Sequence, residues 1–233
     1  MKRLPLVLEP VPLDLAWNDP EENLRRMEDA VVRRLDERRA DPEERLFLFP
    51  ERNPEAPGRP FNALVLARPD GSIAGRYRKL HLFTAGREPE AGVFSAGDRG
   101  VLCEHRGWLF GLSICFDLRF SRLYHEYARA GADVILAPAC WVGGPHKSMQ
   151  LRTLAAAYAV LSQAYVAAVN RSGRDPHFDY DGSAHVFSPF GEPVLQEGSC
   201  GLDESALIEC RKMKVRGADR ESYPLSLPRP GQT

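Results

Sequence analysis

Short apolar runs bounded by charged or turn-forming residues recur along the chain, and they outnumber its amphipathic stretches. Residues 4–8, 46–49, 62–67, 72–77, 101–105, 108–114, 131–138, 165–170 and 184–187 read as strands. Pro69-Asp70-Gly71 turns 62–67 back on 72–77, and Arg106-Gly107 turns 101–105 back on 108–114, so both pairs are hairpins. A further hairpin is expected around 188–191, with 191–194 as its second arm. Helical spacing is rarer. Asp19 as N-cap, Pro20 and Glu22 open a helix whose Leu24, Met27, Val31 and Leu35 recur every three or four residues. Residues 123–130 and the alanine-rich 149–163 are the other helices, and 202–210 is a final strand or short helix. Residues 36–45 are charged and 87–100 are rich in Glu, Gly and Pro, and both read as loops. Hairpins mixed with strand–helix–strand units predict an α/β fold with mixed rather than parallel sheets.

Length sets this out as one domain over 1–221, with the proline-rich 222–233 as an extended tail. A composition of 43% hydrophobic and 27% charged residues with a net charge of -1 excludes the basic excess of a nucleic-acid binder. No apolar run reaches the roughly 18 residues of a membrane span. Pro5, Glu9 and Pro10 break the amino-terminal run before a signal core forms, so a cytoplasmic location is expected. The five cysteines, at 103, 115, 140, 200 and 210, show no C-x-x-C spacing, and the six histidines show no paired spacing. Reduced thiols and no metal or other cofactor are the expectation.

The stretch 111–120 carries the candidate chemistry. It runs from an apolar strand into Cys115, then through Asp117 and Arg119 toward a helix. A strand-end thiol is held by the sheet and open to a cleft, as covalent catalysis requires, although a free cysteine is otherwise a small core hydrophobe. Two more chemical groups leave strand ends: Glu51 after 46–49 and Lys79 after 72–77. A thiol of ordinary pKa is mostly protonated at neutral pH, so it needs a base or a cation beside it. Glutamate can carry the proton to a leaving amine, and lysine with a backbone N–H can hold the oxyanion of a tetrahedral intermediate. The chemistry these three groups specify is acyl transfer.

With these residues in view, the chain resembles the nitrilase superfamily of carbon–nitrogen hydrolases. Pro50-Glu51 is similar to the first motif of that family, residues 77–83 (YRKLHLF) to its lysine motif and 114–120 (ICFDLRF) to its cysteine motif. Weaker likenesses lie at 17–24, 94–98, 163–166, 170–171 and 188–192. The resemblance implies an αββα sandwich that pairs as a homodimer, a small amide as substrate, and a Glu51, Lys79, Cys115 triad supported by Glu90. Phe116, Trp141 and His146 would line the substrate pocket. The chain also departs from the family. An αβ unit is expected to be missing between Glu51 and Lys79, in which case 49–52 (FPER) corresponds to the end of the following strand and Glu51 is not the base. Ser121-Arg122 and the 158–162 segment lack the family's polar partners. A catalytically silent binding protein of the same fold, or an acyltransferase using the same thioester, are the alternatives.

Overall fold

The computed structural model describes residues 6–8, 22, 25, 26, 45–51, 56, 58–67, 73–84 and 89–212. Two sheets dominate. The first takes β2 (Arg45–Glu51), β3 (Phe61–Ala67) and β4 (Ile73–Arg78) in sequence order, all antiparallel. The second has five strands, β5 (Val101–His105), β6 (Trp108–Leu112), β7 (Val134–Ala139), β8 (Tyr165–Asn170) and β11 (Ala184–Phe187), in the order β11-β8-β7-β6-β5. Its centre, β6-β7-β8, is parallel, and β5 and β11 run antiparallel to it at the edges. This is the mixed sheet the pattern predicts.

Covering on both faces explains the near-continuous apolar runs of β7 and β8. On β6, Gly111 faces the ring of Tyr127 in helix α2 (Ser121–Arg129), whereas Leu112 meets Gly75 of β4. Helices therefore lie on one face of the five-stranded sheet and the three-stranded sheet lies on the other. Helix α3 (Lys147–Ser162) packs beside α2, with Tyr158 stacked on Tyr124 at 3.9 Å.

Gly111 makes this packing possible. A Cβ there would stand 2.9 Å from two ring carbons of Tyr127. That ring cannot retreat, because its hydroxyl donates to Leu112 O (2.5 Å) and accepts from Val101 N (3.0 Å). Gly111→Ala should destabilise by about 1–3 kcal/mol, read as a lowered urea midpoint.

Several sequence expectations change in detail. Among the described residues no helix stands between Glu51 and Lys79; β2 pairs directly with β3. The 87–100 loop contains a helical turn, α1 (Glu90–Val93), and 202–210 divides into β12 (Cys200–Leu202) and α4 (Glu204–Lys212). Strand β12 pairs with β1 (Leu6–Leu8). A short hairpin of β9 (Ser172–Arg174) and β10 (Asp179–Asp181) was not expected. Of the first helix only Glu22, Arg25 and Arg26 are described; they are helical, and Glu22 bonds both arginines. The rest of that helix and the 222–233 tail lie outside the described residues. No helix among the described residues is long and apolar enough to cross a membrane.

Candidate active site

The three-stranded sheet and the parallel centre of the larger one bring their strand ends to one place. Strand β6 stops at Leu112, Ile114 is still extended, and Cys115 opens a 3-10 turn over Cys115–Arg119 with φ 48. A non-glycine residue in this left-handed region costs about 1–3 kcal/mol unless its surroundings hold it there. Asp117 supplies much of that hold. Its buried carboxylate accepts from Ile114 N (2.9 Å), Tyr77 OH (2.8 Å) and His81 N (3.0 Å), and lies 2.8 Å from His81 Nδ1. Tyr77 and His81 flank Lys79, so one carboxylate ties the lysine-bearing strand end to the cysteine turn. Burial and the Asp117 charge push the Tyr77 phenol far above its usual range, which keeps it a donor.

Lys79 is 1% exposed, and an ammonium at that depth needs a counter-charge. Glu90 provides it: Oε2 lies 2.5 Å from Lys79 Nζ and also accepts from Phe83 N (2.8 Å), and Oε1 accepts from Asn62 Nδ2 (3.1 Å). The α1 turn carrying Glu90 is docked in turn by Arg59, whose guanidinium reaches the carbonyls of Ala91 and Phe94. The backbone of Lys79 is fixed on both sides, its N–H donating to Asn62 O and its carbonyl accepting from Gly97 N.

Burial pushes the Cys115 thiol up to about 12. Lys79 pulls in the opposite direction, as does the Cys140 N–H, which donates to the sulfur; the neighbouring Cys140 thiol and Glu90 charge add to the rise. Cys115 keeps some exposed area although its sulfur is desolvated. The resting nucleophile is therefore a thiol whose proton must leave as it attacks. Alkylation of Cys115 by iodoacetamide should quicken about tenfold per pH unit from 7 to 10, without the plateau an ordinary thiol of pKa about 8.5 would show. Peptide mapping after timed quenching gives that profile.

The structure thus gathers Cys115, Lys79 and Glu90. The backbone of Glu51 lies at the end of the three-stranded sheet. It ends β2 opposite Phe61, whereas Asn62, level with Lys79, is opposite Pro50. Phe61 belongs with Arg78, whose guanidinium lies 4.1 Å over its ring, on the other face of the sheet from the Asn62 register. Phe116 joins an aromatic row beside the turn, edge-on to Phe83 (5.2 Å) and Phe120 (5.3 Å). Trp141 is buried, donates its indole N–H to Lys147 O and lies under Arg119; His146 is exposed at φ 63 just before α3. Sequence reasoning passed over Asp117, Tyr77 and Asn62 as site residues. The one signal for Asp117 was a carboxylate in a tight turn directly after an apolar strand. Among the described residues, no group of three or more His, Cys, Asp or Glu side chains is placed to hold a metal ion.

Residues 44–208 match the protein family described as Carbon-nitrogen hydrolase. The chain belongs to the carbon–nitrogen hydrolase family. The match covers β2 through most of α4, and so includes every residue of the site above. Two Escherichia coli relatives of this family are each 38% identical over 142 residues, 60% of this chain. In the K12 protein YbeM the matched part is 73% of the whole, and in the deaminated glutathione amidase of strain O157:H7 it is 52%. The omega-amidase YafV of Yersinia enterocolitica is 37% identical over 139 residues, 58% of this chain and 50% of its own length. The chain therefore spans only about half the length of these two amidases. The fold is that of the nitrilase superfamily. Saccharomyces cerevisiae Nit3, a member of that superfamily, superposes with a TM-score of 0.78 over 93% of this chain and 97% of its own, at 20% identity. XC1258 of Xanthomonas campestris, a superfamily protein with an arsenic adduct in its active site, gives 0.77 over 97% and 100%, at 24% identity.

Proposed function

We propose that this carbon–nitrogen hydrolase cleaves a small carboxamide to its acid and ammonia through a thioester on Cys115. The observation that carries the reading is the Cys115 thiol on its left-handed turn beside the buried Lys79–Glu90 pair. Glu90 takes the thiol proton as the sulfur attacks the amide carbon. Lys79, with the backbone N–H after the cysteine, holds the negative oxygen of the tetrahedral intermediate. Collapse breaks the carbon–nitrogen bond, Glu90 returns the proton to the departing nitrogen, and ammonia leaves. Water then gives a proton to Glu90 and attacks the thioester, releasing the acid and restoring the thiol. The family's omega-amidase and deaminated glutathione amidase members support a substrate that is an amide of a small acid. Phe116, edge-on to Phe83 and Phe120, is proposed to contact the substrate together with Trp141 and His146.

Ammonia release from a panel of small carboxamides, monoamides of dicarboxylic acids included, tests this reading, with intact-mass analysis of acid-quenched protein for an acyl group on Cys115. Release together with the acyl mass supports it. A folded protein that releases no ammonia and takes up no acyl group is instead the binding protein of the same fold. Acyl uptake with turnover only in the presence of an added amine is the transferase. The resemblance also implies a homodimer, and the exposed Val160, Leu161 and Phe190 at and beside α3 are an apolar surface for it. Sedimentation should then give the mass of two chains.

A further inference from the structure

The His81 side chain grips the cysteine turn at two points, although no step of the acyl chemistry uses it. The turn is built on Asp117. Its N–H donates to Ile114 O (3.0 Å) while its carboxylate accepts from Ile114 N (2.9 Å), so Ile114 and Asp117 close a ring around Cys115 and Phe116. Phe120 N then donates to Asp117 O (2.9 Å) and ends the turn. Where that carboxylate sits therefore decides where the thiol sits. Its Oδ2 accepts from Ile114 N and Tyr77 OH; among the described residues, both bonds to Oδ1 come from His81, through the backbone N–H (3.0 Å) and ring Nδ1 (2.8 Å). A carboxylate only accepts, so Nδ1 is the protonated nitrogen of this contact. The same imidazole lies flat on Phe120 at the far end of the turn, with centroids 3.8 Å apart and planes 6° from parallel.

We infer that His81 is a positioning residue, whose Nδ1–H on Asp117 fixes the turn so that the Cys115 thiol and the N–H after it stay beside Lys79. The bond matters more than the bulk. Asp117 is fully buried, and a buried carboxylate that loses a donor shifts toward another, water included. Ile114 is tied to that carboxylate, so the turn shifts with it, and the left-handed Cys115 at φ 48 relaxes once its surroundings no longer hold it. A misplacement of about 1 Å costs about 10^2-fold in rate, and it does so in the transition state rather than in substrate binding. That cost in turnover rests on the hydrolase reading, whereas the hold on the thiol does not.

Two variants of the full chain separate the bond from the ring. His81→Phe keeps the stack on Phe120 and lacks the N–H; His81→Asn lacks the stack and sets an amide N–H where Nδ1–H stands. The first readout is the pH profile of Cys115 alkylation by iodoacetamide, which needs no amide turnover. Burial is the main cause of the raised thiol, with Lys79 and the Cys140 N–H lowering it and the Cys140 thiol and Glu90 raising it. In His81→Phe the loosened turn admits water to the sulfur, so alkylation near neutral pH should be about tenfold faster than in wild type or more, levelling off near the ordinary thiol pKa of about 8.5. His81→Asn should keep the wild-type climb. The second readout is amide hydrolysis, in which His81→Phe should lose about 10^2-fold in kcat with KM within about twofold, and His81→Asn should stay within about fivefold. Urea titration reports whether each variant folds. A folded His81→Phe protein with the wild-type alkylation profile overturns the inference. So does an asparagine variant altered as much as the phenylalanine one, or a phenylalanine variant that fails to fold, either of which makes His81 a structural residue. If wild type hydrolyses no amide, the hydrolase reading fails and the alkylation profiles alone decide the role of His81.

Discussion

Cys115→Ala protein should release no ammonia from any amide that the wild type hydrolyses, a fall of about 10^4-fold or more, with an unchanged urea midpoint. The size follows from chemistry that runs through one covalent bond: without sulfur no thioester forms, and the Lys79–Glu90 pair has only unactivated water to work with. The unchanged stability follows from the turn. Alanine at φ 48 meets the same backbone strain as cysteine, and the Asp117 bonds to Ile114 N, Tyr77 and His81 do not involve the sulfur. Cys115→Gly should be equally inactive yet more stable, by about 0.5–1 kcal/mol, because glycine adopts the left-handed turn without strain. Coupled ammonia assays with urea titrations separate these effects. Ammonia release by the alanine variant at even a hundredth of the wild-type rate would remove Cys115 from the mechanism.

Glu90→Gln should cost both activity and stability. The buried Lys79 loses in that variant the carboxylate 2.5 Å away, a change of about 3–5 kcal/mol when a buried pair is broken from one side. Turnover should fall by about 10^2-fold or more, since the proposed proton carrier is gone. Glu51→Gln, by contrast, should stay within about twofold of wild type if the proton passes through Glu90 as proposed. Pairing Lys79→Met with Glu90→Leu distinguishes the roles: removing both charges should recover most of the lost stability and none of the activity. If Glu51→Gln is the inactive variant and Glu90→Gln turns over normally, the proton passes through Glu51 and the proposed assignment is wrong.

Several elements of the site are legible in the pattern of residues. Lys79 and Cys115 each follow an apolar strand directly, and both come to the sheet ends where the strands predict them. Glu90 stands out through the family likeness alone, since the 87–100 stretch reads as a loop and hides the turn that docks Glu90 on Asn62 and Lys79. Glu51 shows what a single strand leaves open. An apolar strand ending in Pro-Glu looks like a site-bearing strand end, but in an antiparallel pair one residue of register exchanges the two faces, and pairing is not written in a single strand. Asp117 escapes a reading by local pattern because its role is to bind groups 40 and 36 residues away, Tyr77 and His81.

From its sequence alone this protein's mixed α/β class, its hairpins, its long alanine-rich helix and the strand-end placement of Lys79 and Cys115 were determined, because hydrophobic period and turn chemistry are local properties. Only the tertiary structure decided which carboxylate meets the lysine, that Asp117 ties the cysteine turn to Tyr77 and His81, and that Cys115 rests as a thiol. Those outcomes depend on strand register, burial and the approach of residues distant in the chain, and none of these is a property of a local stretch.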